Sequence, residues 1–149
     1  MQTKVHPRGT YVCMEGPQFS TRAESELHRS WGGHLIGMTL MPEAKLAREA
    51  ELCYAAVSLP TDYDCWRPAH EDLPKHELLK EIIGNVQEAT RNALALIRKA
   101  LPAIAQGKLP ACGCQSALEM GIWSDRASIP SEVRSRLDLL LGKYLPRNP

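Results

Sequence analysis

Between residues 9 and 60, short apolar runs of strand-forming residues alternate with helix-like stretches, and this alternation constrains the fold more than any other feature. GTYVCMEG reads as a strand between two glycines, and HLIGMTL and CYAAVSLP read as two more. TRAESELHRSWGG separates the first pair. Its Thr21 and Glu24 have capping-box spacing, Ala23, Leu27 and Trp31 share one helical face, and Gly32–Gly33 is the stop. PEAKLAREAE separates the second pair, with Pro42 placed as the first helical residue, where its missing donor costs nothing. Strand, helix, strand, helix, strand predicts an α/β fold with a largely parallel sheet.

Beyond residue 70 the pattern changes. Leu79, Ile82, Ile83, Val86, Ala93, Leu94 and Ile97 recur at helical spacing and predict one long amphipathic helix from Glu71 to about Ala105, with Pro102 marking its end. AQGKLPACGCQ reads as a loop. SEVRSRLDLLLG reads as a last helix, apolar at Val133, Leu137, Leu140 and Leu141 and stopped by Gly142. A length of 149 residues suits one domain with a single sizeable core. Three segments are expected: an exposed lead-in at 1–8, the main domain at 9–105, and a loop and helix extension at 106–149.

Charge and motif content narrow the function. Eighteen Lys and Arg against seventeen Asp and Glu leave no strong field for nucleic acid or an anionic membrane. No signal peptide opens the sequence and no apolar run reaches membrane-span length, so a cytoplasmic protein is expected. The five cysteines, Cys13, Cys53, Cys65, Cys112 and Cys114, form no CxxC pair. Reduced thiols are expected, with a redox pair at Cys112 and Cys114 as the alternative. Neither GxGxxG nor GxxxxGK[ST] occurs, so no glycine-rich phosphate cradle is visible.

In open α/β sheets ligands collect at the carboxyl ends of strands, and EGPQFS, GMT and TDYDCW all fall at such ends. Asp62 and Asp64 support two readings. Either acid can cap a helix or make an Asx-turn. Alternatively the two can read a nitrogen heterocycle, one protonated and donating, the other ionised and accepting, as an adenine edge requires. Met38 suits packing on ribose and Thr39 an oxyanion, or they are core and cap respectively. Phe19 either stacks on a flat base or is buried. His76, near the start of the long helix, is a surface or capping residue or a contact to substrate.

Taken together, GTYVCMEGPQFSTRAES, IGMTLMPEAKLAREAELCYA and LPTDYDCW resemble, in wording, order and spacing, the methylthioadenosine phosphorylase branch of the purine nucleoside phosphorylases. The resemblance covers roughly residues 9 to 105. It implies a mixed central sheet flanked by helices. It also implies a pentosyltransferase of purine and methionine salvage that converts 5′-methylthioadenosine and phosphate to adenine and 5-methylthioribose 1-phosphate. No metal, redox cofactor or covalent intermediate is implied; phosphate is a substrate. By the same resemblance Asp62 is catalytic, donating to purine N7, and Asp64 accepts from the exocyclic amine. Met38 contacts the ribose, Thr39 binds phosphate and Phe19 lines the base pocket. Relatives that take 6-oxopurines carry Glu where Ser20 stands and Asn where Asp62 stands, so a 6-aminopurine is expected. At the 5′ end the matching position falls at Lys75 or His76. His76 suits a 5′-hydroxyl, which keeps ordinary purine nucleosides open as substrates. Gly37 stands where some relatives have Asn.

The family's glycine-rich phosphate loop, Arg-His pair and further phosphate loop have no counterpart in these residues, which resemble the C-terminal half of the family alone. The expectation is therefore a phosphorylase incomplete as an isolated chain, and a homo-oligomer, trimeric by resemblance. Two alternatives stand beside it: a non-catalytic fragment that binds adenine nucleosides or assembles with a full-length relative, and a nucleosidase that needs no phosphate. Neither nucleic acid nor membrane is an expected partner.

Overall fold

The computed structural model of the chain describes residues 4–67, 74–107 and 110–145. It is α/β, and the first half of the alternation forms as expected. Strand β1 (Tyr11–Cys13) pairs in parallel with strand β2 (Leu35–Gly37), Tyr11 opposite Leu35, Val12 opposite Ile36 and Cys13 opposite Gly37. Helix α1 (Arg22–Ser30) connects them. Its capping box is complete, the Thr21 hydroxyl accepting from the Glu24 N–H at 3.3 Å and the Glu24 carboxylate from the Thr21 N–H at 2.7 Å. Such a cap is worth about 1 kcal/mol. The other end closes as a Schellman turn. Gly33 donates to the His28 carbonyl at 3.0 Å, Gly32 donates to that of Arg29 at 2.9 Å, and Gly32 has φ +80°.

Four expectations need correction. CYAAVSLP forms no strand: the described residues contain a two-stranded sheet, and residues 52–60 carry no ladder. A strand exists only through a partner's hydrogen bonds, and neither β1 nor β2 supplies them to this run. Helix α1 does not bury its Ala23–Leu27–Trp31 face, which is exposed; it buries Ser25 and half-buries His28 instead. The long helix, α3 (Lys75–Ala105), contains Pro102 rather than ending at it. A proline removes one donor, and the helix carries on to a stop at Gly107, whose φ is +65°. Residues 71–73 of the expected helix lie outside the described residues. Finally, the last helix is two, α4 (Ser131–Arg136) and α5 (Asp138–Leu141), broken at Leu137 with φ −104° and ψ 10°. Arg134 spans the turn before α4, donating to the carbonyls of Ile129 at 2.8 Å and Arg126 at 2.7 Å.

Helix α2 (Leu40–Glu49) supports the reading of Pro42 as first helical residue. Met41 is extended at φ −112° and ψ 131°, as a residue before proline prefers, and the regular turns follow it.

The chain divides into two compact units, Met1–Leu40 with Ala56–Leu109, and Met41–Ala55 with Pro110–Pro149. The first holds the sheet, α1 and α3. The apolar stripe of α3 is largely uncovered in it: Leu79, Ile83, Val86, Leu94 and Ile97 are all exposed. The second unit is organised around Glu51. Leu52 donates to the Ala47 carbonyl at 2.8 Å and Glu51 to that of Arg48 at 3.2 Å, so α2 also ends in a Schellman turn, with Glu51 in the left-handed position at φ 56°. Glycine is the usual occupant there, and a side chain costs about 1 kcal/mol or more. Here the side chain is used. The Glu51 carboxylate, 9% exposed, pairs with Lys143. It also accepts from the Tyr144 hydroxyl and, at 3.0 Å, from the Leu118 N–H. Burial pushes its pKa up, but the bonds from Lys143, Tyr144 and Leu118 outweigh that and hold it at about 2.

Candidate functional site

The three segments singled out above belong to the first unit, two at the ends of β1 and β2 and TDYDCW after a run that forms no strand, and the structure ties them to one another. The Met14 N–H donates to the Gly37 carbonyl at 2.9 Å, extending the sheet's pairing into EGPQFS. Beyond it the turn at Gly16 lies directly on Met38, whose Sδ stands 2.8 Å from where a Cβ on Gly16 would be. TDYDCW is tied to the same place from the other side, the Cys65 thiol donating to the Ser20 carbonyl at 3.1 Å. Asn85 of α3 donates to the Thr61 carbonyl at 2.7 Å and anchors the start of that segment to the long helix.

The two acids have different surroundings. Asp62 is exposed and accepts from the neighbouring Thr61 hydroxyl at 2.6 Å. Asp64 is half-buried and lines a small cavity of about 120 Å³ together with Ser25, His28, Arg29 and Trp66. Aromatic groups frame the segment. Trp66 meets Tyr63 edge to face at 5.7 Å, Arg29 lies over the Trp66 ring at 3.9 Å, and Arg67 lies over Tyr63 at 4.4 Å. Each cation–π contact at such a surface adds about 0.5–1 kcal/mol, and together they hold the acids' turn in place.

The remaining residues are less gathered. Thr39 lines a second cavity, of about 200 Å³, with Tyr11, Leu40, Val57, Ser58 and Leu59. No cationic residue is among those lining it. Phe19 is 85% exposed. Ser20 is half-buried, its hydroxyl 3.8 Å from the Met14 sulfur. His76 is exposed on the first turn of α3.

Ser25 and His28 were not legible as site residues. Both line the Asp64 cavity, and the Ser25 hydroxyl and His28 Nδ1 are buried with no hydrogen-bond partner among the described residues. A signal existed: the two polar residues are three apart on one face of α1, next to the arginine that covers Trp66. It was masked by the apolar stripe on the opposite face.

In the second unit Cys53, Cys112 and Cys114 place their sulfurs within 4.8 Å of one another, and no disulfide joins them. Cys112 raises the Cys53 thiol to about 11, while the Cys114 backbone N–H lowers that of Cys112.

Comparison with known proteins adds to this geometry. Residues 1–102 match the sequence profile of the phosphorylase superfamily. The chain is 50% identical over 141 residues to the S-methyl-5′-thioadenosine phosphorylase of Geobacter sulfurreducens, covering 95% of this chain and 47% of that protein. It is 47% identical over 136 residues to its namesake in Koribacter versatilis, covering 91% and 44%. Among solved structures, a methylthioadenosine phosphorylase from an antarctic soil metagenomic library superposes with a TM-score of 0.64 at 39% identity, over 90% of this chain and 45% of that one. The chain thus spans about half the length of the relatives it matches.

Proposed function

The chain belongs to the phosphorylase superfamily, and on that premise we propose that it is the base-recognising portion of a purine nucleoside phosphorylase of the methylthioadenosine type. The observation that carries this is that EGPQFS meets Met38 through Gly16 and TDYDCW through the Cys65–Ser20 hydrogen bond. In the proposed reaction a phosphate oxygen attacks the anomeric carbon of 5′-methylthioadenosine as the C–N glycosidic bond breaks. The bonding pair leaves with the purine, and Asp62 is the donor to N7 of the departing base. Asp64 accepts from the exocyclic amine. Adenine and 5-methylthioribose 1-phosphate are the products. Stabilising the departing base anion is where such acids act, because the charge they meet is largest in the transition state.

Ser20 and Asp62 favour a 6-aminopurine over a 6-oxopurine. Met38 packs on the ribose, Phe19 closes over the base when it is bound, and His76 faces the 5′ substituent. Thr39 is the phosphate contact assigned to this chain. A single hydroxyl holds a dianion weakly compared with arginines or a loop of amides, so phosphate binding through Thr39 alone is expected to be weak. The exposed Phe19 and the uncovered apolar stripe of α3 support self-association, for which a trimer is the proposed state. The setting is purine and methionine salvage in the cytoplasm; no helix among the described residues is long and apolar enough to cross a membrane.

The test is adenine release from 5′-methylthioadenosine by the purified chain, with and without phosphate, alongside direct binding of adenine. Phosphate-dependent release, or adenine binding that fails in Asp62→Ala and Asp64→Ala, supports the proposal. Release that ignores phosphate replaces it with a nucleosidase. Neither release nor binding by a folded sample overturns it.

A further inference from the structure

The three thiols of the second unit take no part in the proposed reaction, and their placement is specific. Cys53 lies just beyond the Schellman end of α2, with Cys112 and Cys114 on either side of Gly113, where a 3₁₀ turn (Gly113–Ser116) begins. The approach of Cys53 to Cys112, 59 residues apart in sequence, is 3.3 Å, and all three sulfurs lie within 4.8 Å of one another. A metal ion bonded to thiolates at about 2.3 Å has sulfur–sulfur edges of roughly 3.8–4.0 Å. The 3.3 Å approach of Cys53 to Cys112 and the 4.8 Å limit on all three sulfurs put the cluster on the scale of such a triangle.

We propose that Cys53, Cys112 and Cys114 form a three-thiolate site for a thiophilic metal ion, Zn(II) or Cu(I). The donor set decides the class: the cluster is all sulfur, and sulfur donors select these ions over oxygen-preferring Mg(II) or Ca(II). Cu(I) is satisfied by three thiolates. Zn(II) takes a fourth ligand, and the exposure of Cys53 and Cys112 leaves room for a water to supply it. Binding releases the protons of the three thiols and ties the end of α2 to the chain around residue 113, so the ion stabilises the folded second unit.

The experiment uses the full reduced chain under anaerobic conditions. Zn(II) is titrated directly and Cu(I) against a chromophoric competitor, and the thiols left open to alkylation are mapped by mass spectrometry. Saturation at one ion per chain, with Cys53, Cys112 and Cys114 protected and Cys13 and Cys65 still alkylated, is the expected result for at least one of the two ions. Cys53→Ser and Cys114→Ser should each weaken that binding at least tenfold, while Cys13→Ser and Cys65→Ser leave it unchanged. Circular dichroism checks that each variant is folded. Absence of saturable binding of either ion, or equal binding by folded Cys53→Ser, overturns the proposal. So does a reduced protein that binds no metal but forms a Cys53–Cys112 disulfide on exposure to oxygen, which would make the cluster a redox device instead.

Discussion

The hydroxyl end of Tyr11 occupies the space that a side chain at Gly37 would need. The two are diagonal neighbours across β1 and β2, since Tyr11 pairs with Leu35 and Cys13 with Gly37. The tyrosine therefore reaches over the sheet at the point where it hands the chain to Met38 and Thr39. Gly37→Ala should cost about 1–3 kcal/mol by forcing Tyr11 aside, and Tyr11→Val should restore most of that loss. A double-mutant cycle in urea reads the coupling; simple additivity of the two changes would mean that the contact carries no energy.

Glu51 makes the second unit sensitive to acid. Its folded pKa of about 2 lies below its ordinary 4.5, so its contribution is complete above 4.5 and disappears as pH falls through about 2. Thermal unfolding followed down that window should show the natural chain losing stability more steeply than Glu51→Gln, which has no such proton to take up. Parallel curves would show that the Lys143, Tyr144 and Leu118 bonds do not distinguish the ionised acid.

Asp62 and Asp64 should separate by ligand. Each alanine substitution should weaken adenine binding about tenfold to a hundredfold, the span for a hydrogen bond involving a charged group. Asp62→Asn should shift preference toward hypoxanthine, because an amide offers that base's oxo face a donor. Calorimetric titration with both bases checks this, and an unchanged adenine-to-hypoxanthine ratio would remove Asp62 from the base site.

The Ser25 hydroxyl is buried, with the residue 1% exposed and no partner for its oxygen among the described residues. An unsatisfied buried group costs stability, so Ser25→Ala should be neutral or stabilising by up to about 1 kcal/mol. A clear loss of stability on that substitution would mean that a water in the adjoining cavity already bonds the hydroxyl.

The sequence by itself determined the local structure at the start of the chain and the identity of the site segments. Thr21, Glu24, Gly32 and Gly33 set both ends of α1 because capping depends on residues only a few positions apart. Pro42 likewise placed the start of the regular turns in α2, and the residues of EGPQFS, GMT and TDYDCW identified the segments to examine. Tertiary structure decided what depends on neighbours distant in sequence. CYAAVSLP has strand composition but no ladder, because a strand is a property of two paired segments and not of one. Helix α1 turns Ser25 and His28 inward although Leu27 and Trp31 are more apolar, because burial follows whatever surface lies against the helix. The unlike surroundings of Asp62 and Asp64, and the meeting of Cys53 with Cys112, likewise arise from long-range contacts. Such contacts are set by packing between segments, and no periodicity or spacing within one segment encodes them.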